Sequence, residues 1–140
     1  MNRTDCQTEE LAHTSEIGLR AHAASLGDLF ACLCRAMIAL TGVQADEHAA
    51  PLTLEVDVSA GDVESLLVDW LNEVLYLHEV TGIVPQAVTV HTVTPSAIQA
   101  TVSGRAAQPP SELQIKAVTY HQLVVVPQNS EWKAEVFFDI

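Results

Sequence analysis

Residues 14–23 (TSEIGLRAHA) alternate, with Ile17, Leu19 and Ala21 on one face and Glu16, Gly18, Arg20 and His22 on the other, the pattern of a half-buried strand. At Ser25 the period changes. Leu26, Leu29, Phe30, Leu33, Met37 and Leu40 recur at helical spacing, behind a Ser25/Asp28 cap and ahead of Gly42 as a stop. Residues 43–51 read as a loop. Leu52, Leu54, Val56 and Val58 then alternate with Thr53, Glu55, Asp57 and Ser59 in an amphipathic strand. Gly61-Asp62 opens a second helix, whose buried stripe is Val63, Leu66, Leu67, Trp70, Leu71, Val74 and Leu75. Gly82 and Pro85 close it.

From residue 83 onward the period is two. Val88 and Val90 fall in one strand, Ile98, Ala100 and Val102 in the next, with Pro95-Ser96 between them. After a turn-rich stretch at Gln108-Pro109-Pro110-Ser111, residues 115–126 read as a long strand. The turn Pro127-Gln128-Asn129-Ser130 leads to a last strand in which Trp132, Ala134, Val136 and Phe138 alternate with Lys133, Glu135, Phe137 and Asp139. The order is strand, helix, strand, helix, then several strands. Successive strands on short turns pair antiparallel, so the class is α+β, with two helices packed on an antiparallel sheet. A chain of 140 residues forms one domain. The polar residues 1–12 read as a flexible N-terminus and residues 13–140 as the domain.

Composition narrows the function. Hydrophobic residues are 49% of the chain, which is too apolar for a disordered acidic tail. The net charge is −12, and the six basic residues (Arg3, Arg20, Arg35, Arg105, Lys116, Lys133) are scattered. Gripping a phosphate backbone needs clustered Lys and Arg, so direct high-affinity nucleic-acid binding is not expected. No apolar stretch reaches the length of a membrane span, and the start MNRTDCQTEE has no signal-peptide core. The three cysteines, Cys6, Cys32 and Cys34, are an odd count that points to a reducing compartment, with Cys32 and Cys34 as helix thiols. The expectation is a cytoplasmic protein.

Familiar catalytic patterns fail. His78-Glu79 begins a zinc-protease motif, but Gly82 stands where its second His is required. Cys32 and Cys34 are two apart on a helix and point about 200° apart, so they cannot chelate one ion. There is no phosphate-binding glycine loop and no Gly-x-Ser-x-Gly elbow. His22, His48 and His91 stand alone and read as surface or packing residues.

Two places remain. One is His13-Thr14-Ser15-Glu16, where a carboxylate follows a His and a Thr at the start of a strand. The other is the end, where Asp139 precedes the α-carboxylate of Ile140. Adjacent carboxylates repel unless a cation lies between them. Three oxygen-bearing groups would suit a hard cation if Glu16 came near the other two, which spacing alone does not establish.

Four segments carry a resemblance: His13-Thr14-Ser15-Glu16-Ile17-Gly18, the helix run Leu67-Val68-Asp69-Trp70-Leu71-Asn72-Glu73-Val74-Leu75-Tyr76, Ile115-Lys116-Ala117-Val118-Thr119-Tyr120-His121, and the ending Val136-Phe137-Phe138-Asp139-Ile140. Together, in this order, they resemble the archease family from about His13 to the last residue. The resemblance implies a single archease-like α+β domain without catalytic residues of its own. It implies a metal-binding protein cofactor of the tRNA-splicing RNA ligase, which joins 2′,3′-cyclic-phosphate or 3′-phosphate RNA ends to 5′-hydroxyl ends. Its role would be to promote ligase guanylylation and multiple turnover. The implied metal ligands are Glu16, Asp139 and Ile140. The implied ion is Ca²⁺, with Mg²⁺ or Mn²⁺ as alternatives. Glu16 departs from the Asp usual in the family, and Ser15 from the preceding Ala. His13, Lys116 and His121 match motif positions without an assigned role. Two other readings remain beside this one: a general chaperone or adaptor for RNA-processing proteins, and a metal-dependent hydrolase.

Overall fold

The computed structural model describes residues 6–12, 15–109 and 112–140. Among them the chain forms two helices and eight strands: β1 (Gln7–Ala12), β2 (Glu16–Ala23), α1 (Leu26–Ala39), β3 (Gln44–Ala45), β4 (Pro51–Ser59), α2 (Val63–Thr81), β5 (Ile83–Thr94), β6 (Ala97–Gln108), β7 (Ala117–Gln128) and β8 (Glu131–Asp139). All strand pairs are antiparallel. The α+β class holds, but the strands divide into two sheets. One has the order β1-β2-β8-β7. In the other, β6 is central between β4 and β5, with β3 at its end.

The helix signals act as the sequence suggests. Ser25 is the N-cap of α1 and its hydroxyl accepts the Asp28 N–H at 3.1 Å; Asp62 caps α2 by accepting the Ser65 N–H at 2.8 Å. Gly82 ends α2 at φ +78°, a left-handed conformation open to glycine at little cost. His78, in the last turn, places Nδ1 2.7 Å from the Ile83 carbonyl, which joins the end of α2 to the start of β5. Asn129 and Ser130 both have positive φ, at 53° and 65°, which gives a two-residue turn that matches the twist of the β7–β8 hairpin.

The helices lie between the sheets. α1 packs on β5 and β2, and α2 on β7 and β4. Leu29, Phe30, Leu33 and Met37 of α1 meet Leu66, Leu67, Trp70 and Leu71 of α2 in one fully buried cluster. The Trp70 ring tilts against Phe30, with centroids 6.4 Å apart, and its indole N–H donates to the Phe30 carbonyl at 2.9 Å. No helix is long and apolar enough to cross a membrane among the described residues.

Three sequence expectations change. Residues 7–12 are not a flexible tail: they form β1, paired along its whole length with β2. Their polar character is that of an edge strand, with residues 7–10 exposed. The loop over 43–51 contains β3, which pairs with the end of β6 through Gln44↔Gln108 and Ala45↔Ala107. Finally, Cys32 is not a free thiol. It forms a disulfide with Cys6 across a Cα–Cα distance of 6.0 Å, which leaves Cys34 as the free, buried cysteine. The β1–β2 register brings Cys6 back beside the end of β2, where α1 begins, so residues 26 apart in sequence meet. An odd count therefore hides one bond, and the cysteines no longer argue for a reducing compartment.

Trp70→Phe removes the indole donor and leaves a void. It is expected to cost about 2–4 kcal/mol in urea unfolding with native helix content retained. A loss near zero would show that this contact does not join the helices.

Candidate functional site

Glu16 is the first residue of β2 and Asp139 the last of β8, and they are direct register partners. Asp139 also stands opposite Ala117, the first residue of β7. Directly opposed residues on paired antiparallel strands carry their side chains on one face, with Cβ atoms about 4.5–5.5 Å apart. The two acids from opposite ends of the chain therefore meet at one end of the sheet. Glu16 is partly buried; Asp139 and Ile140 are exposed. Lys116 contributes its backbone: its N–H donates to the Asp139 carbonyl at 2.8 Å, while its side chain is exposed.

The face that carries these acids is the one opposite the core. Next along it is Phe137, only 2% exposed although it faces away from the helices. Its ring lies over Gly18, its register partner. A Cβ at Gly18 would sit 2.7 Å from the Phe137 Cδ2 atom, so glycine is needed here for space.

β7 then leaves regular pairing. Thr119 faces Phe137 and Val124 faces Glu135, so residues 120–123 stand against Val136 alone. Gln122 takes φ +52° within this bulge. The Thr119 hydroxyl holds it, donating to the Phe137 carbonyl at 3.1 Å and accepting the His121 N–H at 3.3 Å. The bulge re-aims His121 over β8. Its ring meets the Phe137 ring edge-on, with centroids 6.1 Å apart, and Nε2 lies 3.7 Å from Glu16 Oε1. His121 thus reaches across one strand to the carboxylate on the next.

A polar residue of the second helix completes the frame. β7 is a sheet edge, and Asn72 of α2 covers it. The Asn72 Oδ1 accepts the Val118 N–H at 3.1 Å and its Nδ2 donates to the Val118 carbonyl at 3.5 Å. The side-chain amide does the work of a neighbouring strand beside Ala117. Nothing in the helical spacing distinguishes Asn72 from the other polar positions of α2.

Further along the same face, Arg20 donates from Nε to Glu135 at 2.9 Å and from a terminal nitrogen to Glu9 at 3.1 Å; Lys133 lies 3.5 Å from Glu135. The Arg20 hydrogen bond holds the Glu135 carboxyl below the usual range, and Glu135 in turn raises Arg20. These cations are directed at Glu135 and Glu9.

The sequence-predicted residues divide accordingly. Glu16 is the register partner of Asp139 and lies 3.7 Å from His121, Lys116 meets Asp139 through its backbone, and Ile140 follows Asp139. His13 lies outside the described residues. Among the described residues, no group of three His, Cys, Asp or Glu side chains forms a metal cage. The donors at this end of the sheet are all-oxygen carboxylates with His121 alongside. They fit a hard cation held by few protein ligands and completed by water. Two other histidines take structural partners: His78 Nδ1 lies 2.7 Å from the Ile83 carbonyl, and His91 Nε2 lies 2.7 Å from the Thr101 hydroxyl, which donates to Glu55.

The model of the Archease protein family (MTH1598/TM1083) matches residues 9–140. Protein archease of Methanosarcina acetivorans is 39% identical, over 94% of each chain, and that of Pyrococcus abyssi is 29% identical, over 94% of this chain and 97% of the other. Among solved structures, Methanobacterium thermoautotrophicum protein 1598 superposes with a TM-score of 0.69 at 25% identity, covering 95% of this chain and 98% of that one. An archease of Thermotoga maritima, described as a possible chaperone, also gives 0.69 at 20% identity, over 94% of this chain and 96% of that one.

Gly18→Ala is expected to cost about 1–3 kcal/mol, because the added methyl meets the buried Phe137 ring. In a Phe137→Leu background the cost should shrink, as measured by urea unfolding of the four proteins. An equal cost in both backgrounds would mean that Phe137 does not set the requirement for glycine.

Proposed function

The chain belongs to the archease family, and from that premise we propose that it is a protein cofactor of the tRNA-splicing 3′-phosphate RNA ligase, promoting guanylylation and repeated turnover of that enzyme. The observation that carries the reading is the direct pairing of Glu16 with Asp139 at an exposed sheet end. An exposed site of this kind is open to the surface of a partner. The net charge of −12 steers the chain toward a cationic protein surface, such as one that handles RNA.

Glu16 and Asp139 would hold a divalent ion, Ca²⁺ first, with Mg²⁺ or Mn²⁺ as alternatives. In a chain that ends at Ile140, the α-carboxylate adds a third anionic group directly after Asp139. Such an ion would neutralise phosphate charge and orient oxygens at the partner's nucleotide. The chain's own part is positional. β8 fixes Asp139, the Lys116 N–H holds its carbonyl, and Asn72 keeps the start of β7 in line beside them. Glu16 is one methylene longer than the Asp usual in the family, so it reaches further from β2.

A second reading, a general chaperone or adaptor, is favoured by the description of the Thermotoga maritima relative. The two separate on client specificity. With the ligase of the same organism, this protein is expected to raise guanylylation and RNA sealing over many turnovers, and to join no RNA alone. Glu16→Gln, Asp139→Asn and a short C-terminal extension should each weaken divalent-ion binding about tenfold or more and lower activation in parallel, with unchanged thermal stability. Full activation by all three variants would remove the site. Suppressed aggregation of unrelated clients, without ligase activation, would favour the chaperone.

A further inference from the structure

β1 is held in an unusual way. It is the outer strand of its sheet, paired with β2 alone. Residues 7–10 are exposed and Leu11 is only half-buried, so the strand contributes little to the core. Its ion pair, Glu9 with Arg20, is solvent-exposed and of the kind that stabilises weakly. Between β1 and the end of α1 lies a space of about 300 Å³, with Thr8 and Glu10 on one side and Leu19, Ala36, Ala39 and Leu40 on the other. β1 therefore stands off the helix. At its start, however, Cys6 is bonded to Cys32, in the middle of α1.

We propose that Cys6–Cys32 is a thiol–disulfide exchange site and that β1 is a strap: closed while the bond is intact, released when a thiol reductant opens it. The chemistry follows from exposure. Cys6 is partly exposed, whereas Cys32 is 8% exposed, so an incoming thiolate attacks the Cys6 sulfur. The S–S bond breaks, its electron pair leaves on the Cys32 sulfur, and that sulfur takes a proton from water. A second thiolate of the reductant then attacks the reductant sulfur of the mixed disulfide, and the electron pair leaves on the Cys6 sulfur, which takes a proton; the reductant departs as a disulfide and the protein holds two thiols. Cys34 takes no part: it is fully buried, burial pushes its thiol up to about 12, and two residues along a helix it points away from Cys32.

Release has local consequences. Arg20 loses Glu9 and keeps Glu135. β2 becomes the sheet edge from Ile17, the partner of Ala12, to His22, the partner of Gln7. Leu19, buried while β1 is in place, is uncovered beside Ala36, Ala39 and Leu40, which are already half-buried or exposed. An exposed strand edge beside an apolar strip is a surface that pairs readily with another chain. β8 keeps its pairing with β2 and β7, and α2 its packing on β7 and β4.

The test is hydrogen exchange with mass spectrometry on the full chain, air-oxidised and after reduction, with Cys6→Ser as a second route to the open state. Thiol titration after denaturation fixes each state: one free thiol of the three cysteines when oxidised, and three when reduced. Protection of residues 7–12 and of β2 is expected to fall about tenfold or more on reduction, and equally in Cys6→Ser, while α2 and β8 stay protected. Equal protection of β1 in both states would show that strand pairing alone holds it. Loss of protection throughout the molecule would make the bond a global staple. Three free thiols after air oxidation would show that the bond does not form.

Discussion

Phe137 and Phe138 are consecutive residues of β8 and both are buried, one on each face of the strand. In most strands of this chain one face is wet. Here the inner ring packs in the core, while the outer ring lies against Gly18, where no side chain blocks it, and meets the His121 ring edge-on. A strand buried on both faces cannot slip by one residue, because the slip would exchange the two rings and leave one of them unmatched. The order of the sheet follows from that constraint. β2 must present Gly18 opposite Phe137, which puts Glu16 opposite Asp139. β7 must present Thr119, which puts Ala117 beside the same aspartate.

The candidate site is thus a by-product of a packing requirement two residues away. Its other members are placed by departures from regular structure. The bulge at residues 120–123 lifts His121 across β8 toward Glu16, and the Thr119 hydroxyl holds that bulge at its base. Asn72 closes the edge of β7 with both ends of one amide. An antiparallel sheet with a free edge at β7 would let this corner fray, and the exposed carboxylates would then be carried on mobile backbone.

Much of this was legible in the chain. The two helices and their caps at Ser25, Asp62 and Gly82 were visible because capping is local: the signal lies within four residues. The strands from residue 83 onward announced themselves by alternation. What stayed hidden depends on meetings far apart in sequence. β1 looks polar because it is an edge strand, and only its pairing with β2 gives it structure. The Cys6–Cys32 bond requires that pairing first. The division into two sheets depends on how the helices sit between them, which no periodicity records. Glu16 and Asp139 were singled out as acids near strand ends, but their meeting is a fact of register. His121 was noted from the family resemblance alone, and its approach to Glu16 depends on a bulge that the run Tyr120-His121-Gln122-Leu123 does not signal.

The proposed binding of one divalent ion by Glu16 and Asp139 rests on the β2–β8 register that pairs them. A double-mutant cycle reads this directly: Ca²⁺ affinity by calorimetry for the unmodified chain, Glu16→Gln, Asp139→Asn and the double variant, at equal thermal stability. Two ligands of one ion give strongly non-additive losses, with the second substitution costing little once the first has been made. That non-additivity is the expected result. Losses that simply add, or an affinity that neither substitution changes, would contradict it.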